Sequence, residues 1–334
     1  MRPTRVLMII LEVVLIFVAS SAVINYVVTK PVSGRDATEI KFSAANAKKF
    51  RSLYDTGAKQ LKNAEYPEAL ASFQEAEQSS GQLNDDQYAA LRNSRQQIAT
   101  FYESSGRAAD AEAVYKTMQT SGLQEGYVLS RAHVPAQALP RLRDAQEFSA
   151  HLTEGKQAAM MESSGAVVEC LRETQRYDDA IENSRQMIDY LRASSNPSDL
   201  ALTDKYLELA QTFSEAQQWE QSEQTLMLGW STVDQVIARR SSLPDSDPAY
   251  IQALTEKDLL LHWLVSAYAQ DGKVDTALAT SEEFYKYVAD HSKPWGDLGP
   301  YPRREVAVEA YKIAMAAHRA EAAALWQTRM HATR

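Results

Sequence analysis

Six histidines, one cysteine and two pairs of adjacent carboxylates are the residues best suited to chemistry in this chain. The histidines are His133, His151, His262, His291, His318 and His331, and none stands at the spacing of an HExxH or another close metal-ligand pair. Cys170 is the single cysteine, with no CxxC partner and no intramolecular disulfide open to it. It reads as a small apolar residue on a helix. Asp85-Asp86 and Asp178-Asp179 stand where helices begin, so their expected work is capping and favourable contact with the helix dipole. The sequence has no GxSxG, GxxxxGK[ST] or GxGxxG. The expectation is a protein that is not an enzyme and that takes no cofactor and no metal.

Composition points to binding by a helical body. The chain has 334 residues, 45% of them hydrophobic, a net charge of −9 and a pI near 5.3. No Lys/Arg block with interleaved aromatics occurs, which argues against nucleic acid. Twelve glycines and eleven prolines are few for this length, and alanine-rich segments are frequent. That balance favours helix over strand.

The elements that must position any binding residue are legible from Ala64–Glu77, AEYPEALASFQEAE. Ala69, Phe73 and Ala76 share one helix face, because residues three and four apart are neighbours on a helix. A face of small, large and small residues accepts a second helix at close range. With Leu53, Gly57 and Tyr66 the run resembles a tetratricopeptide repeat, a helix–turn–helix unit of about 34 residues. By that resemblance Gly57 and Ala69 fill the two small positions and Phe73 is the wedge. Similar strings return downstream. GRAADAEAVYKTM carries Gly106, Ala111, Tyr115 and Met118, and follows Ala99 and Tyr102. QRYDDAIENSRQM carries Tyr177, Ala180 and Met187, follows Val168 and Leu171, and has Ser184 where an aromatic is expected. Leu209, Ala210, Phe213, Trp219, Ser222, Leu226 and Gly229 make a fourth unit. Val265, Tyr268, Gly272, Ala277 and Phe284 make a fifth. A weaker sixth, with Ala310, Ile313, Ala322 and Trp326, reads as a cap.

Spacing departs from the family. Ala69 to Ala111 and Ala180 to Ser222 are each 42 residues, which predicts longer helices. Ala111 to Ala180 is 69 residues, and a degenerate helix or helix pair is expected across Gly122–Arg143. Ser241–Pro248 and His291–Pro302 read as loops. Trp295 and Tyr301 in the second are candidate partner contacts that more often pack on their own solenoid.

The N-terminus has a different character. Residues 1–5 are a short basic tail with Arg2 and Arg5. Residues 6–28 form an apolar run long enough, at about 1.5 Å per residue, to span a hydrocarbon core of about 30 Å. Glu12, Ala19 and Tyr26 recur every seventh residue and share a stripe in it. A cleaved signal peptide, ending near Ser20-Ser21-Ala22, is the competing reading. Residues 29–46 read as a polar linker, and 47–331 as the repeat domain.

The resulting expectation is an all-α fold: a right-handed superhelical solenoid of antiparallel helix pairs, preceded by one transmembrane helix. The expected location is a bacterial inner membrane, single-pass, with the repeat domain periplasmic. Secretion after cleavage and a cytosol-facing placement are the alternatives. First helices should line a concave groove, with outward positions at Arg51, Tyr54, Gln96, Thr100, Glu169, Arg172, Gln211, His262, Ser266 and Tyr311. The expected partner is a protein or peptide, held by a membrane-anchored scaffold or adaptor of envelope protein assembly. A small-ligand sensor, an enzyme-regulating subunit and a docking receptor are the rival roles. One group within the family holds acidic C-termini through a basic clamp. Here Tyr54 and Ala58 occupy positions where that clamp needs Lys and Asn, which argues against this mode.

Overall fold

Alanine-rich, glycine-poor segments become helix throughout the computed structural model, which describes residues 44–194, 199–240, 247–295 and 303–332. In chain order the helices are α1 (Ala44–Lys62), α2 (Tyr66–Ser80), α3 (Asp85–Ser104), α4 (Ala108–Arg131), α5 (Pro135–Ser149), α6 (Lys156–Glu173) and α7 (Tyr177–Ala193). They continue as α8 (Asp199–Glu215), α9 (Trp219–Arg240), α10 (Pro248–Gln270), α11 (Val274–Trp295), α12 (Arg303–Ala316) and α13 (Ala320–Ala332). Among the described residues there is no strand.

A single turn repeats through this array. Its central residue has a positive φ: Ala64 (61°), Gly106 (73°), His133 (56°), Gln175 (57°), Gln217 (59°), Gly272 (76°) and His318 (55°). The following N–H then reaches back to the carbonyl five residues earlier. Glu65 bonds to Gln60, Arg107 to Tyr102, Val134 to Leu129, Arg176 to Leu171, Gln218 to Phe213, Lys273 to Tyr268 and Arg319 to Ala314, all at 2.8–2.9 Å. This is the Schellman pattern, which satisfies orphan carbonyls at a helix C-terminus and reverses the chain. Five residues after each left-handed residue stands a small one: Ala69, Ala111, Ala138, Ala180, Ser222, Ala277 or Ala323. All seven are at 4% exposure or less. They let the two helices of a pair close on each other.

The sequence reading placed six such units, and the described residues hold seven turns. The additional one is Ala132-His133-Val134 between α4 and α5, within the span Gly122–Arg143 where a degenerate helix or helix pair was expected, and its small residue is Ala138. Its position was not marked because α4 does two jobs. Its first half, from Ala111, is the second helix of one unit, and its second half is the first helix of the next. Ala111 to Ala138 is therefore only 27 residues. The last unit also shifts by one position: Ala323 is buried, whereas Ala322 is only half-buried.

Contacts run along the array, between helices adjacent or next-adjacent in the chain. First helices of successive units meet, as α1 with α3, α4 with α6, α6 with α8 and α8 with α10. Closer approach on that side makes it the inner face of the stack, as expected for a solenoid of helix pairs. Close packing uses missing side chains. A Cβ at Gly57 would lie 2.7 Å from Phe73 Cε1, and one at Gly126 would lie 2.4 Å from Leu142 Cδ2. The two contacts have the same spacing in the sequence, so α4–α5 repeats the register of α1–α2.

Smaller boundaries also move. Helix α1 begins at Ala44, inside the expected linker. Helix α11 runs to Trp295, so the chain stays helical where a loop was expected from His291. Asp85, Asp86, Asp178 and Asp179 occupy first turns, but the α3 cap itself is Asn84, which forms a capping box with Gln87. The apolar run 6–28, Tyr301 and most of the loop 241–248 lie outside the described residues. Among the described residues no helix is long and apolar enough to cross a membrane.

Candidate functional site

An open groove lies on the inner face between α6 and α8, with a volume of about 550 Å³. Helix α6 contributes Gly165, Val168, Glu169, Arg172 and Glu173, and α8 contributes Asp204, Leu207, Glu208, Gln211 and Glu215. On each helix these positions are three or four apart and so share a stripe. Val168 and Leu207 give the groove an apolar floor. Five carboxylates and one guanidinium give it charge.

The single cation is already committed. Arg172 Nε donates to Glu215 at 3.0 Å and its other nitrogen pairs with the same carboxylate, a two-point bond across the groove that raises the arginine pKa. Glu208 accepts from Lys205 at 2.7 Å and from Ser184 at 3.1 Å. That second bond accounts for Ser184: its buried hydroxyl spans α7 to α8 and meets a carboxylate that an aromatic ring could not pair. Glu173 accepts from Ser130 at 3.1 Å. Burial raises the pKa of Glu169, and the nearby Glu173 adds to it.

Asp204 links the groove to the next unit. It is hydrogen-bonded to Glu256 of α10, and both carboxyl groups are pushed up, chiefly by burial. Glu256, at 9% exposure, is raised to about 8, so at neutral pH the two carboxyl groups share a proton. Folding takes up a proton on this pair. Its contribution is therefore fully present below the ordinary glutamate range and is lost as pH rises toward about 8. Glu256→Gln supplies a donor that does not titrate. Urea midpoints of the wild type are expected to fall from pH 5 to pH 9, and those of Glu256→Gln to fall less. Parallel curves for the two proteins would contradict the shared proton.

A second, smaller groove of about 290 Å³ lies between α10 and α12, lined by His262, Val265, Ser281, Phe284, Glu305, Val306, Val308, Glu309 and Lys312. Burial lowers the His262 pKa, so the ring is neutral at pH 7. Among the described residues no group of three or more His, Cys, Asp or Glu side chains is placed to hold a metal ion.

The ten positions singled out in the sequence do not form one surface. Glu169, Arg172 and Gln211 meet in the α6–α8 groove and His262 lies in the α10–α12 groove. Arg51 and Thr100 are exposed away from both, Gln96 accepts from Arg92 at 3.3 Å, and Ser266 accepts from Gln270 at 3.0 Å. Two positions pack instead of facing outward freely. Tyr54 is half-buried, with its ring centroid 5.5 Å from that of Phe73 and its hydroxyl 3.1 Å from Ser94 Oγ. Tyr311 is half-buried against the core of the last units. Glu173, Asp204, Leu207, Glu208 and Glu215 were missed. The spacing of Asp204, Glu208, Gln211 and Glu215 on one stripe was the available signal.

No family model matches this chain, and no curated protein matches it. Solved structures do. A tetratricopeptide repeat protein from Parabacteroides merdae is 15% identical, covering 86% of this chain and 93% of its own, with a TM-score of 0.36. BtubC (BKLC) from P. vanneervenii is 13% identical over 87% of this chain and 92% of its own, with a TM-score of 0.39. A Rap protein in complex with competence and sporulation factor is 10% identical over 87% and 98%, with a TM-score of 0.34.

Proposed function

We propose that this protein is a docking scaffold that holds a segment of another protein in its inner groove and carries out no reaction. The observation that carries this reading is the shape of the α6–α8 groove. It is an open trough between two first helices, not an enclosed pocket with converging polar groups, which a small-ligand sensor would need. A packed helix array is preformed, so little further entropy is lost when a partner docks.

The apolar run at residues 6–28 supports a membrane anchor, and the short basic tail before it supports an extracytoplasmic repeat domain. Tethering would raise the effective concentration of the scaffold near membrane-bound partners. A role in envelope protein assembly fits that placement.

Gln211→Trp fills the groove from a half-buried position on α8. The full anchored chain is expected to co-purify a reproducible partner after crosslinking, and the variant, with unchanged helical circular dichroism, is expected to lose it. Equal recovery by both proteins would move docking to another surface.

A further inference from the structure

We propose that the α6–α8 groove takes an extended segment of a partner protein rich in arginine or lysine, an inference that rests on the docking reading above. The groove presents Glu169, Glu173, Asp204, Glu208 and Glu215 against one lining cation, Arg172, which is held by Glu215. Like charges are thus gathered on two facing helices, and besides Arg172 the solvent-facing cation whose charge acts on this lining is Arg131 of α4, near Glu169. Among the described residues the other cation in bonding contact is Lys205, at 4% exposure, and it is bound to Glu208.

Apolar and charged groups are layered in the way a basic side chain requires. Val168 and Leu207 form the floor, and the carboxylates stand beside them. A lysine or arginine stem packs on apolar surface while its head seeks charge. Gln211 offers an amide donor and acceptor to the backbone of an extended segment.

A second observation lies on α10, behind the groove lining. Glu256 is at 9% exposure, its Oε2 has no hydrogen-bond partner, and its bond to Asp204 joins it to the groove lining. The charged groups facing this pair are Lys205 and Glu208 on α8. A guanidinium seated against Asp204 would stabilise the ionised carboxylates, so binding is expected to release protons near neutral pH.

The test uses the full chain in detergent and an end-capped eight-residue peptide alternating arginine and serine, with its glutamate–serine counterpart as control. Calorimetry at low salt is expected to show one arginine peptide per chain, proton release that differs from zero across buffers, and no binding of the glutamate peptide. Glu169→Gln with Glu173→Gln is expected to weaken binding at least tenfold. Glu182→Gln with Glu283→Gln, exposed acids on α7 and α11, is expected to change it less than twofold. Equal losses from the two double variants would mean bulk attraction to an acidic protein and would overturn the proposal, as would tighter binding of spermine than of the peptide. If Gln211→Trp abolishes partner capture while the arginine peptide fails to bind, docking stands and the cationic partner falls.

Discussion

Phe73→Ala is expected to lower the unfolding free energy by about 3–5 kcal/mol, the range for deleting a large buried aromatic. Phe73 has 0% exposure. Its ring lies against Gly57, where an added Cβ would sit 2.7 Å from Cε1 and 3.2 Å from the Ala69 carbonyl oxygen. Gly57→Ala therefore forces the ring to move and should cost roughly 1–3 kcal/mol by overpacking. In Phe73→Ala the ring is gone, and of the close contacts of an alanine at position 57 only that with the Ala69 carbonyl oxygen, at 3.2 Å, remains. The double variant should be more stable than the sum of the single effects predicts, by about 1 kcal/mol or more. Denaturant unfolding followed by circular dichroism measures all four proteins. Strict additivity would mean that the two residues do not share a contact, and the small–large register would be wrong.

Arg141→Ala is expected to cost roughly 2–4 kcal/mol, through lost hydrogen bonds and a cavity. Arg141 is 2% exposed where α5 packs on the shared helix α4. It donates to the Leu83 carbonyl at 3.0 Å, to the Gln137 carbonyl at 2.8 Å and to Asp85 at 3.0 Å. Its guanidinium also lies over the Tyr88 ring, 4.8 Å from the centroid. Truncation leaves the Leu83 carbonyl without this donor and leaves Glu125, already raised by burial, without the charge that holds it down. The ion pair itself contributes little, because the Asp85 side chain is 66% exposed. Asp85→Asn should accordingly cost less than about 1 kcal/mol. Arg141→Met keeps the volume without the donors and should fall between. A small loss from Arg141→Ala and a large one from Asp85→Asn would reverse this assignment.

Helix pairing was legible because its signals are local. Ala69, Ala111, Ala180, Ser222 and Ala277 could be read as small residues shortly after a turn on a helical face, and all five close helix pairs in the structure. The unit at Ala138 was legible only as the 69-residue gap between Ala111 and Ala180, where a degenerate helix or helix pair was expected; α4 runs through without a break, so the turn at His133 and the small residue Ala138 were not marked within it. Groove residues were harder still. Glu169, Arg172 and Gln211 were found by position on first helices, but Asp204 and Glu208 gain meaning only from α6 across the groove and from Glu256, 52 residues further on. Tyr54 was misjudged for the same reason: its partner Ser94 belongs to the next unit. Faces within a helix follow from periodicity. Which faces of distant helices meet depends on the tilt of each unit, and no local pattern records that.

The central claim is that a partner lies on the inner face of the first helices. A photo-crosslinking amino acid placed at Gln211, in the α6–α8 groove, tests it in the full chain, with the same probe at exposed Gln186 on α7 as the comparison. The expected result is one discrete adduct from position 211 and none from 186. An adduct from 186 with none from 211 would place the partner on the second helices and contradict the claim.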